Sequence, residues 1–245
     1  MKQMYLVFAF LISAAVSAQA TQPGTPASTT PAASQEDPHN ADNYLEKQTA
    51  LKGIDQARSE QQKDIRKLSV IVANYGSAVA GSDAELKKIK DLYEESSVLY
   101  YRQQYVKSRE ILNQAKTQTS ELYKKFDDMY AKQTDELMIQ CAKGVANLET
   151  TQTPGGGNSP EWSTVLILNQ SRLRTAFGHV VIAQDLNREK RYDDAIDHYR
   201  LAKLFGIGLL RGLEEDPQKA KAIDDKYKID LQDATGGRAA SAPSK

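Results

Sequence analysis

The sequence predicts an all-α protein, an elongated framework of long, coiled-coil-like helices carrying two helical hairpins. Three observations carry that expectation. Apolar residues recur at three- and four-residue spacing through most of the chain between 42 and 233, and alternating strand patterns are scarce. Residues 105–149 contain no proline and a single glycine, Gly144. A motif of tyrosines and small residues also returns at an offset of 87 residues, from Tyr105 to Tyr192. An uninterrupted helix over 105–149 would run about 65 Å. The body should therefore have a radius of gyration well above the ~16 Å of a compact chain of this size.

The chain opens with Lys2 and an apolar run over 5–16, followed by Val16-Ser17-Ala18 and Ala18-Gln19-Ala20. This reads as a signal peptide over 1–20, too short to span a bilayer. Residues 21–41, rich in Pro, Thr and Ser, have little to bury and are expected to be a disordered spacer, like the tail 234–245. The first helix is expected over 42–79, with Leu51, Ile54, Ile65, Leu68, Val72, Tyr75 and Val79 forming a seam. Arg58 and Gln61 interrupt it, which predicts an exposed or frayed stretch. Ser82-Asp83-Ala84-Glu85 reads as a capping box opening a second helix that reaches about Arg102.

The third helix, 105–149, carries Leu112, Ala115, Leu122, Phe126 and Met129 in heptad phase. Its stripe is then displaced at Leu137, Cys141, Val145 and Leu148, predicting a change of partners midway. The glycine-rich segment 153–158 breaks the helix. A phosphate cradle would need a preceding strand and a Lys-Ser/Thr ending, so a plain loop is expected. Ser159 should cap a fourth helix with Pro160 in its first turn, running through Trp162, Val165, Leu168, Leu173, Phe177, Val180 and Leu186. A fifth spans 192–215, and Asp216-Pro217 opens a sixth with Ala220, Ile223 and Tyr227 on one face.

The repeat places Ser96, Leu99, Tyr105, Ser108, Leu112 and Ala115 in one hairpin, around 86–116. Ala183, Leu186, Tyr192, Ala195, Tyr199 and Ala202 occupy the second, around 173–203. Small residues let two antiparallel helices approach, the turn tyrosines plug the connection, and the remaining positions face the neighbouring helix. Tyr192-x-x-Ala195-Ile196-x-x-Tyr199-x-x-Ala202 resembles the second helix of a tetratricopeptide repeat; the first copy has Ser for Ala and Leu for the aromatic. That resemblance implies hairpins used as protein-binding scaffolds. The copies are not in tandem and their helices outrun repeat length, so hairpins embedded in a long-helix framework are expected. With its export signal, Pro/Thr spacer, long helices and Tyr-rich hairpins, the chain also resembles the flagellar coiling proteins of spirochaetes. Those are structural parts of the sheath around periplasmic flagella.

Chemistry is sparse. Lysine plus arginine and aspartate plus glutamate both number 32, so no charge excess favours nucleic acid or an anionic membrane. Cys141 is the single cysteine, which excludes an internal disulfide; a buried thiol and pairing between chains are the two readings. His179 and His198 fall on two arms of one hairpin with Asp194 and Asp197 nearby, yet lack metal-ligand spacing. No catalytic residue, cofactor or metal is expected. Twelve tyrosines are a better clue: Tyr100, Tyr101 and Arg102 are the candidate interface, the other reading being that both tyrosines are half-buried between the repeat helices. The expectation is a non-enzymatic, exported periplasmic scaffold. It would work by protein–protein assembly or self-association, without membrane insertion after signal cleavage, and a flagellar sheath component is the specific form. The alternative is a free tetratricopeptide-like adaptor that binds an envelope protein or a peptide.

Overall fold

The computed structural model describes the backbone of residues 40–151 and 160–237. The expected signal peptide, the expected spacer up to residue 39, the loop at 153–158, the Ser159 cap and the end of the tail lie outside the described residues, as does the side chain of Trp162. Within them the chain forms α1 (Asn40–Leu51), α2 (Ile54–Tyr75), a short 3-10 turn (Gly76–Ala78), α3 (Ser82–Tyr101) and α4 (Tyr105–Thr151). It continues through α5 (Pro160–Arg188), α6 (Tyr192–Gly212), α7 (Pro217–Lys226) and α8 (Lys228–Ala234), with no strand among the described residues. The all-α expectation holds. At 47 residues, α4 runs about 70 Å.

The two most extensive helix contacts are within the hairpins α3–α4 and α5–α6, and α4 also packs on α6 and α5. Their cores are the positions the repeat singles out. Ser96, Ser108, Ala115, Ala183, Ala195 and Ala202 are fully buried, Leu112 and Tyr199 nearly so. Leu99, Tyr105, Leu186 and Tyr192 are half-buried at the two turns.

The turns themselves repeat. Gln104 N–H donates to the Leu99 carbonyl and Gln103 N–H to Tyr100, while Arg191 N–H donates to Leu186 and Lys190 N–H to Asn187. Each is a Schellman closure, with Gln103 (φ 62°) and Lys190 (φ 63°) in the left-handed position where glycine is usual.

α4 exchanges partners along its length. Its first half meets α3 and α2, through Ser108 to Ser96, Thr119 to Gln61 and Tyr123 to Asp64. Farther on it meets α6, where the Lys203 ammonium donates to Gln133 (2.5 Å) and the Cys141 thiol to the Gly206 carbonyl (3.3 Å).

The structure corrects four expectations. The first helix is two: Gly53, at φ 81°, separates α1 from α2, a conformation that only glycine adopts without strain. The polar gap is neither exposed nor frayed. Gln61 is fully buried and donates to Thr119 at 2.7 Å, and Arg58 lies half-buried over the Tyr100 ring. The capping box does not form, because Gly81 takes the cap position and the buried Ser82 hydroxyl donates to the Gly76 carbonyl. On α5, Val165, Leu168 and Phe177 face outward, leaving Leu173, Val180 and Leu186 of the expected set against the core.

A buried polar lock ties the C-terminal end to the bundle. Asp233, 1% exposed, accepts two bonds from Arg200 (2.7 and 2.9 Å), one from Asn74 (2.8 Å) and one from the Tyr130 hydroxyl. Lys203 reaches Asp230 at 2.7 Å, Tyr75 donates to the same carboxylate, and both Tyr75 and Tyr130 lie within cation–π reach of Lys203. Two cations thus meet two carboxylates, so the charges buried here are matched. Burial pushes the Tyr130 hydroxyl well above its ordinary pKa, which keeps it a donor. The Asn74 amide also reaches the Gly237 carbonyl, so the ordered body extends past 233 into the expected tail.

Candidate protein-binding surfaces

The predicted interface at the first turn divides in two. Tyr100 is half-buried, edge-on to Tyr101 and Tyr105, with the Arg58 guanidinium 4.3 Å from its ring centre. A hydrogen bond to Asp55 holds its hydroxyl above the ordinary pKa. Tyr100 is therefore engaged within the chain. Tyr101 is 76% exposed and Arg102 is exposed beside it, so these two present outward.

A larger surface was missed by sequence reasoning. Of the fourteen exposed large apolar side chains among the described residues, eight lie on α5 and α6. Ile167 (64%), Val181 (55%) and Ile182 (44%) stand on α5, and Leu201 and Leu204 on α6. Monomers seldom leave such a patch open.

The internal repeat supplies a control. Val181, Ile182, Leu201 and Leu204 correspond, 87 positions earlier, to Glu94, Glu95, Gln114 and Thr117, all exposed. The same hairpin face is thus polar in one copy and apolar in the other, so the hairpin fold does not require the apolar residues. The signal was present in the sequence. Apolar residues are spread all round α5, and a helix with one buried face needs only one apolar stripe.

Beside this face His179 and His198 meet, Nδ1 to Nδ1 at 3.1 Å, with His179 stacked on Phe205. A bond between two ring nitrogens needs one unprotonated acceptor, and burial together with His198 lowers the His179 pKa. The two aspartates are engaged elsewhere, Asp194 with Arg191 and Asp197 with Lys67 and Arg200. Among the described residues no group of three or more His, Cys, Asp or Glu side chains is placed to hold a metal ion. Cys141 is buried and its thiol is pushed up to about 12 by that burial, which makes it a poor nucleophile. A recess of ≈ 440 Å³ opens beside the polar lock, but the Lys203 and Asp230 that line it are already bonded to each other.

No described helix is long and apolar enough to cross a membrane. No protein-family model, curated protein or solved structure matches the chain.

Proposed function

We propose that this chain is a non-enzymatic helical scaffold, exported to the periplasm, which works by assembling with other protein surfaces through the outer face of its second hairpin. One observation carries the reading: that face is apolar and exposed, whereas the same face of the first hairpin is polar. Tyr101 and Arg102 supply a second, smaller contact at the opposite hairpin's turn, of the residue types that anchor interfaces. A component of the periplasmic flagellar sheath is the specific form of this function.

Gradient fractionation of native cell envelopes, comparing the wild-type chain with Leu201→Lys, tests it. The wild type should migrate with a large assembly and the variant should appear as free chain with an unchanged circular dichroism spectrum. A wild-type chain found only free would overturn the reading.

A further inference from the structure

The outward side of α5 reads as a seam for a copy of itself. Leu168, Ser171, Thr175, Gly178 and Ile182 follow one another at spacings of three and four, the periodicity of a helix packed along another helix, and each is exposed. The seam is also close to palindromic. Reversed about the peptide that joins Arg174 to Thr175, Ile167 and Leu168 exchange places with Ile182 and Val181, and Ser171 with Gly178.

We propose that the occupant of this face is a second copy of this chain, with the two α5 helices packed antiparallel about a two-fold axis near Thr175. The inference rests on the assembly reading above and names its first partner.

In that register the apolar ends of each helix meet the apolar ends of the other. The centre is lined by a hydroxyl, a second hydroxyl and a glycine, so the backbones can close there without a void. The surface is its own complement, which a two-fold interface demands. Arg174, the charge near the centre, sits on the flank, where its guanidinium stays in water. Leu201 and Leu204 of α6 widen the apolar strip beyond α5.

Sedimentation equilibrium of the purified full chain, across a wide concentration range, is the test. The wild type should form a dimer. Ile182→Lys should weaken it by about tenfold or more, as expected for losing an interface anchor. A wild type that stays monomeric overturns the proposal. So does a dimer indifferent to Ile182→Lys. If the purified chain is monomeric yet still migrates with a large assembly in native envelopes, the second copy is excluded and the assembly reading stands. If it is free in both, both fall.

Discussion

Ser96 and Ser108 stand where the second hairpin has Ala183 and Ala195, and the difference is local chemistry on one shared geometry. Each serine hydroxyl donates to the other's carbonyl, at 2.8 and 2.7 Å, with the two hydroxyl oxygens 3.1 Å apart. Either single change to alanine removes one of these bonds and should cost about 1 kcal/mol. The double change recreates the apolar crossing of the second hairpin. Its cost should therefore fall short of the sum of the singles, and urea unfolding of all three variants measures the difference.

Asp127 makes the opposite point about buried polarity. One of its oxygens accepts from Asn187, the other has no hydrogen-bond partner, and burial raises its pKa to about 6. The folded state therefore holds this proton more tightly than the unfolded chain. The stabilisation is complete below the ordinary carboxylate pKa and is lost as pH rises through about 6. Asp127→Asn should gain roughly 1–2 kcal/mol at pH 7 and almost nothing near pH 4. A gain that does not depend on pH would contradict the assignment.

At the scale of elements, the helices were largely legible and their ends were not. Periodicity located the long helix because 47 residues of it leave a strong pattern, and Asp216 caps α7 as its sequence suggests, accepting from Gln218 N–H at 2.8 Å. The break at Gly53 was hidden because the apolar spacing carries across it, through Leu51 and Ile54. The capping box failed because a glycine one residue earlier could take the left-handed cap without any side chain.

The two hairpin turns offer a test at this scale. Gln103 and Lys190 hold φ near +60°, which costs a non-glycine residue about 1–2 kcal/mol. After the entropy that glycine adds to the unfolded chain, Gln103→Gly and Lys190→Gly should each stabilise by roughly 0.5–1 kcal/mol. Neutral or destabilising results in thermal unfolding would mean those side chains make contacts that offset the strain.

Across the whole molecule, the long-range polar contacts were illegible. Gln61 is 58 residues from Thr119 and Asn74 is 159 from Asp233, and no periodicity reports a hydrogen bond between separate helices. The polar lock gathers four such elements. Asp233→Ala would leave Arg200, 11% exposed, without its main counter-charge and should cost about 3 kcal/mol or more. That is a large part of the 5–15 kcal/mol typical of a folded domain, so the unfolding midpoint should fall steeply.

The candidate site divided along the same line. Sequence reasoning found Tyr101 and Arg102 because adjacent tyrosines are conspicuous. It overlooked α5 because an apolar residue looks like core until the structure shows which side is already occupied.

Assembly through the second hairpin requires its outer face to be covered in the cell while the matching face of the first is not. Photo-crosslinking with a reactive amino acid placed at Leu201, and separately at its counterpart Gln114, in cells that make the native protein, tests this directly. Strong protein adducts are expected from position 201 and few or none from position 114. Equal yields at the two positions, or none at 201, would contradict it.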